Sequence, residues 1–173
     1  PTYVIVGGVA GGMSAATRLR RLDESARIIV VERSGHVSFA NCGLPYHVGG
    51  VIEKRSALLL QTPASLGARF GLDVRVHTEA TAIDAQAQTI TLRDLATGVA
   101  EEITYTALVL SPGARPVRPT ISGIEGALAL REVEAQRVVA IGHDAPIEPQ
   151  TLLYYHRAGL VARDTLRPFD ARH

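Results

Sequence analysis

YVIVGGVAGG, residues 3–12, runs an apolar strand pattern into a glycine-rich turn, and the turn leads directly into a helix pattern. The first four residues are short, apolar and largely β-branched, which predicts a buried strand at about 3–6. GGMSAATRLRRLD follows, with Met13, Ala16, Leu19 and Leu22 read as one helical face and Arg18, Arg20 and Arg21 falling largely off it. RIIVVER at 27–33 reads as a second buried strand. A strand, helix and strand within about thirty residues favour a parallel sheet.

The turn itself is Gly7-Gly8-Val9-Ala10-Gly11-Gly12. Glycines there let the backbone bend sharply and approach a pyrophosphate, while the helix that follows offers free N–H groups and the positive end of its dipole. Glu32 ends the second strand, where a carboxylate can accept hydrogen bonds from a ribose diol. Val9 stands where a strict G-x-G-x-x-G fingerprint would have its middle glycine. From the residues alone, two readings stay open: a phosphate cradle, or a tight turn packed on the sheet.

Beyond Glu32, TPASLGARFG at 62–71 predicts a short helix opened by Thr62 or Pro63 and stopped by Gly71. The stretch from Asp73 then changes period. Val74, Val76, Ala80, Ala82, Ile90 and Leu92 alternate with polar residues, and Asp94–Gly98 reads as a turn, so an antiparallel meander is expected. It returns through YTALVLS at 105–111 to another buried strand. After about residue 134 the pattern weakens: HDAPIEPQ is proline-broken, TLLYYHRAGLVARDTL fits one amphipathic helix, and RPFDARH reads as a loose tail.

Charge narrows the function. With 18 basic and 17 acidic residues the net charge is +1, which supplies no electrostatic reason for nucleic acid or a membrane surface as partner. Apolar runs fall short of the roughly 18 residues that a membrane span requires. The N-terminus has no basic leader and enters a strand at once, so no signal peptide is expected. No metal-ligating pattern stands out. A single cysteine excludes a disulfide framework within the chain and fits a reducing cytoplasm.

That cysteine, Cys42, lies in SFANCGLPY. A thiol becomes a strong nucleophile where its pKa is lowered, as at a helix N-terminus, and Cys42 could open a short helix through Gly43–His47. Taken alone, a buried and inert cysteine is the favoured reading. Dithiol flavin reductases carry a second cysteine five residues on, where this chain has His47. Cys42 would therefore cycle through a mixed disulfide with a small thiol, or through a sulfenic acid. His36 and His47 are candidate acid–base groups for which loop packing is the preferred account.

Residues 4–52, with SFANCGLPY at their centre, resemble the N-terminal part of the coenzyme A-disulfide reductases, the single-cysteine branch of the FAD- and NAD(P)H-dependent pyridine nucleotide–disulfide oxidoreductases. LLLQTPASLGARFGLDVRV, LVLSPGARPVRP and LREVE extend the resemblance to about residue 134. The Val9 substitution is itself a feature of that branch. The resemblance implies an α/β fold: a Rossmann-like FAD-binding domain with a parallel sheet, helices on both faces and a three-stranded β-meander. It implies FAD along Gly7, Ala10, Gly11 and Gly12, with Glu32 on the adenosine ribose and Arg33 and Asn41 among the cofactor contacts. Ser111, Pro112 and Gly113 would lie near the phosphate–ribityl side, and Arg131 near FAD. Cys42 would face the isoalloxazine and accept electrons from it. Coenzyme A contacts map onto Ser14, Arg18, Arg21, Ser38 and Asn41. Without the resemblance, Arg18 and Arg21 read equally well as a solvated helix face.

The same resemblance implies NAD(P)H as electron donor, coenzyme A disulfide or another small disulfide as substrate, and a homodimer in the complete family. Residues 1–134 are expected to form the N-terminal portion of the FAD domain, and 135–173 a divergent tail or a helix completing it. The nicotinamide-binding and dimerisation domains have no counterpart in the sequence, so a truncated form with impaired or absent NAD(P)H turnover is expected. RVVAIGHDAP at 137–146 echoes a late family segment ending in Gly-Asp, but His143 interrupts that pair and a divergent tail is the preferred reading. Related NADH oxidases and peroxidases share the architecture. The peroxidase branch carries a His in the glycine loop where this chain has Ala10, which favours thiol exchange. The alternatives are an oxidase using a Cys42 sulfenate, and a non-catalytic nucleotide-binding fragment.

Overall fold

In the computed structural model, which describes residues 1–48, 50–114 and 120, β1 (Thr2–Val6) enters the glycine turn and α1 (Ala10–Leu22) leaves it. β2 (Arg27–Val31) follows, then a 3-10 turn (Asn41–Gly43), α2 (Leu44–Val48), a second 3-10 turn (Arg55–Leu58) and α3 (Pro63–Phe70). β3 (Asp73–Arg75), β4 (Thr78–Asp84), β5 (Thr89–Asp94), β6 (Ala100–Thr104) and β7 (Ala107–Leu110) complete the described elements. The described residues divide into two compact units: Pro1–Phe39 with Leu59–Ala114, and Ala40–Leu58.

In the first unit, β3-β2-β1-β7 form a parallel sheet and β4-β5-β6 an antiparallel one. Side chains alternate across a strand, so β1 and β2 feed two cores. Ile5, Ile28 and Val30 pack with Met13 and Ala16 of α1 and Leu66 of α3. Val4, Ile29 and Val31 pack with Ile90, Leu92, Ile103 and Tyr105 on the opposite face. Among the described residues, then, helices cover one face of the sheet and the meander covers the other, where helices on both faces were expected.

Local chemistry sets the element ends. Thr62 Oγ1 accepts from Ser65 N at 3.1 Å while Ser65 Oγ accepts from Thr62 N at 2.9 Å, a reciprocal cap ahead of Pro63. Gly71 closes α3 at φ +58°. Arg20 donates to the carbonyls of Phe70 (2.8 Å), Gly71 (3.1 Å) and Glu24 (2.6 Å), joining the C-terminal ends of α1 and α3. Asp23 Oδ1 accepts from Ser25 and Ala26 N–H groups in the turn to β2, and Asp94 Oδ1 does the same for Ala96 and Thr97. Arg75 donates to Asp73 on its own strand and to Glu101 on β6, tying the two sheets together.

Four further expectations change. Leu22 is 65% exposed and does not share the buried face of Met13 and Ala16. Steps of three residues at about 100° each fall roughly 60° short of a full turn, so three such steps reach the far side of the helix. Val74 belongs to β3, which pairs parallel with β2 and not with the meander. Ala82 is exposed because the β4–β5 register shifts between Ala80 and Ala82, and such a bulge re-aims the strand beyond it. The strand expected to be buried at 105–111 is β7 alone, an edge of the described sheet with Leu110 58% exposed. The tail readings for 135–173 lie outside the described residues. None of the described helices is long and apolar enough to cross a membrane.

Ile29→Ala is expected to cost about 2–5 kcal/mol in urea unfolding followed by circular dichroism, because a buried side chain between sheet and meander is lost. Leu22→Ala should stay within about 0.5 kcal/mol; an equal loss would restore Leu22 to the core face. Hydrogen bonds from Ser25 to Asp23, from Arg93 to Glu79 and from Thr97 to Asp94 hold all three carboxyls below their usual range. A carboxylate depressed in the fold and released on unfolding stabilises the protein above its unfolded pKa of about 4. That contribution drains as pH falls through the lower folded value. Asp94→Asn should therefore flatten the acid limb of a thermal-stability profile below about pH 4.

Candidate functional site

β1 ends where the backbone has least room. Gly7 takes φ +105°, and a Cβ there would lie 2.0 Å from the Ser111 carbonyl oxygen. A Cβ at position 12 would lie 1.7 Å from the Gly7 carbonyl oxygen. Only hydrogen fits at either place, so the turn presses α1 against the strand end. Gly7 N donates to Val31 O at 2.8 Å and Ser111 N to Val6 O at 2.8 Å, which fastens the turn to β2 and the end of β7 to β1. The strand order places β2 on one side of β1 and β7 on the other. The chain thus changes direction between β1 and β7, and the carboxyl ends of such strands form the crevice where open α/β sheets bind ligands.

Three predicted segments converge there: Gly7–Gly12, Glu32 and Ser111. Val9 caps α1 with no side-chain hydrogen bond, and the first turn of α1 contains no acidic residue, so no carboxylate of that turn offsets the positive helix end. Ala10 and Gly11 are exposed at that end. Glu32 Oε2 accepts from Gly8 N at 2.8 Å and Oε1 from Ser34 N at 2.8 Å. A carboxylate has about four acceptor sites, so roughly half its capacity is left for a ligand. Pro112 and Gly113 continue outward from Ser111, both exposed, with Gly113 at φ +73°. Ser38, at φ +49°, donates its N–H to Gly8 O at 2.8 Å and accepts from Leu60 N at 3.2 Å.

Ser14, Arg18 and Arg21 are all exposed on α1. Spacings of four and three residues put them on one stripe of the helix. Arg33 turns instead toward the meander, with Nε 3.1 Å from Glu79 Oε1, and Glu79 Oε2 accepts from Arg93 at 2.8 Å. Arg131 lies outside the described residues.

In the second unit, Asn41 and Cys42 occupy the 3-10 turn that runs straight into α2, with Pro45 in its first turn, where a missing N–H costs little. Gly43 N donates to Ala40 O at 2.9 Å, and a Cβ at Gly43 would meet Leu58 Cδ2 at 2.7 Å. Cys42 is exposed, where a buried cysteine was the favoured reading: Gly43 and Leu44 turn inward in its place. His47 Nδ1 lies 2.7 Å from the Ile52 carbonyl, which can only accept, so Nδ1 carries the proton and the ring packs the loop. Among the described residues no group of three metal-ligating side chains lies close enough to hold an ion.

Sequence reasoning missed Gly8 as the donor to Glu32, and it missed Glu79 and Arg93 altogether. Gly8 was visible only as one glycine in a run, while the Glu79–Arg93 pair depends on the β4–β5 register.

Glu32→Ala should cost about 1–3 kcal/mol in thermal unfolding, since the buried Gly8 loses its N–H partner. Glu32→Gln, with one acceptor oxygen, should recover part of that loss. Gly12→Ala should be more damaging than Gly11→Ala, whose Cβ would meet only the Ser111 side chain at 3.3 Å. Equal melting temperatures for the two would contradict the close approach described above.

The chain matches the pyridine nucleotide-disulphide oxidoreductase family over residues 1–145. It is 42% identical to the coenzyme A disulfide reductase of Staphylococcus aureus over 114 residues, which are 66% of this chain and 26% of that protein. The chain thus spans about a quarter of the length of the curated relatives it matches. The crystal structure of reduced Bacillus anthracis CoADR-RHD aligns with 52% identity and a TM-score of 0.70, over 74% of this chain and 23% of that one. A NAD-dependent persulfide reductase from A. fulgidus aligns with 39% identity and a TM-score of 0.71, over 75% and 24%. On the extent of that match, and with the glycine turn, Glu32 and Ser111 gathered at the strand ends, this chain belongs to the pyridine nucleotide-disulphide oxidoreductase family.

Proposed function

We propose that this chain is the flavin-binding portion of a disulfide oxidoreductase of coenzyme A-disulfide reductase type. The observation that carries the reading is the convergence of Gly7–Gly12, Glu32 and Ser111 around an α1 terminus with no cap of its own. That donor set fits FAD. Gly7, Ala10, Gly11 and Gly12 would hold the pyrophosphate through backbone N–H groups and the helix dipole. Glu32 would take the ribose hydroxyls, with Arg33 and Asn41 as further contacts. Ser111, Pro112 and Gly113 would lie toward the ribityl side, and Arg131 would also approach the cofactor. On this reading residues 1–134 are the N-terminal portion of the FAD domain, working in the cytoplasm.

When bound, FAD would relay two electrons from NAD(P)H to a disulfide. Cys42 is the residue that meets the substrate, and its exposure supports that role. Its thiolate attacks one sulfur of coenzyme A disulfide, so a Cys42–coenzyme A disulfide forms and one coenzyme A thiolate leaves. Two electrons then cleave that mixed disulfide, restoring the Cys42 thiolate and releasing the second coenzyme A. One disulfide, one hydride and one proton give two thiols. Ser14, Arg18 and Arg21 would orient the substrate, with the arginines as charge-assisted donors to its phosphates. Ser38 and Asn41 would complete the contacts.

Purified protein should be yellow, and FAD should raise its melting temperature. With chemical reduction of the flavin, coenzyme A disulfide should yield free thiol, detectable colorimetrically. Cys42→Ser should abolish that release while leaving the flavin spectrum. Thiol release that persists in Cys42→Ser would remove the thiol mechanism. Oxygen consumption without thiol release would indicate the sulfenate oxidase in its place.

A further inference from the structure

Glu79 stands outside every role assigned above, yet it is the meeting point of two arginines. The start of β4 lies alongside the segment that follows β2: Thr78 N donates to Glu32 O at 3.0 Å, and His77 N donates to Ser34 O at 3.1 Å. These two backbone bonds flank Arg33. Successive side chains then point apart, with Glu32 turned to the glycine loop and Arg33 to the meander. Glu79 Oε1 takes Arg33 Nε at 3.1 Å, and its other oxygen is held by Arg93, its cross-strand partner on β5, at 2.8 Å. Arg33 is 70% exposed beyond that contact. Among the described residues its outer guanidinium nitrogens have no hydrogen-bond acceptor.

A long, exposed arginine loses much rotamer freedom when a ligand must fix it. An anchor on Nε removes part of that loss beforehand and leaves the flat guanidinium face available to stack on a ring. We propose that Glu79, itself steadied by Arg93, is a positioning residue that holds Arg33 against the adenine of a dinucleotide whose ribose is bound by Glu32. The proposal rests on the reading that FAD occupies the first loop. The meander then has a role beyond covering the sheet: its first hairpin presets one wall of the adenosine site. Arg93 acts at one remove, because Glu79 can keep its ion pair with Arg33 without it.

The test is FAD affinity of the full chain, measured by quenching of flavin fluorescence, in a double-mutant cycle. Glu79→Gln is expected to weaken FAD binding about threefold to fivefold, as loss of one exposed ion pair allows. Arg33→Met should weaken it at least as much. The double variant Glu79→Gln/Arg33→Met should bind no more weakly than Arg33→Met alone, because Glu79 acts through Arg33. FMN, which lacks the adenosine half, should bind wild type and Glu79→Gln equally. Wild-type FAD affinity in Glu79→Gln, or independent addition of the two losses, would overturn the proposal while leaving the flavin reading intact. A wild-type chain that takes up no FAD would overturn both.

Discussion

A carbonyl oxygen occupies the place where a side chain at position 12 would begin. The Gly7 oxygen lies 1.7 Å from the Cβ that any other residue would carry there, and the Ser111 carbonyl oxygen would lie 2.0 Å from a Cβ at position 7. The first turn of α1 is thereby pressed onto the ends of β1 and β7. Where α1 starts decides where Met13 and Ala16 fall, and both lie in the core between helix and sheet. The same approach leaves the helix N-terminus facing the crevice at the strand ends with no cap of its own. The packing and the open helix end at this point have one cause, the absence of two side chains.

Around that point, the sheet divides its work by parity. Alternate residues of β1 and β2 supply one core to the helices and another to the meander. Each strand is buried on both sides, as parallel strands usually are. Polar bonds then join what burial brings together. Arg20 collects carbonyls at the ends of α1 and α3, and Arg75 links β3 to β6. Both bond several acceptors at once, a use of the guanidinium fork that a lysine could not reproduce.

Cys42 belongs to the other compact unit, and its local structure follows from its neighbours. Gly43 and Leu44 are buried, which turns the preceding side chains outward. Pro45 is accommodated because the first turn of a helix has no intrahelical partner for its N–H. His47 spends its Nδ1 proton on the Ile52 carbonyl, so its ring is committed to holding the loop. The sulfur of Cys42 is left exposed on that turn.

Much of this was legible in the residues. The β-α-β unit, the capped helix at 63–70, the turn at Asp94–Gly98, the glycine loop and the acid at the end of β2 all follow from short-range signals: β-branched runs, a Thr-Pro start, a glycine stop, an acid at a strand end. Those signals concern a residue and its near neighbours, and backbone sterics act at that range. What the sequence could not state was which face met what. Period alone cannot tell β3, in the parallel sheet, from the meander that follows it. Nor can it reveal the shift between Ala80 and Ala82 that sends Ala82 to solvent. A run of apolar residues spaced three apart hid the drift that leaves Leu22 exposed. The pairing of Arg33, Glu79 and Arg93 is the sharpest case, since residues distant along the chain meet only after two sheets have packed and a register has been chosen. Composition and local pattern determined the elements and the loop chemistry. Tertiary packing decided the faces, the edge and the ion pairs, because those depend on contacts between segments that no local pattern encodes.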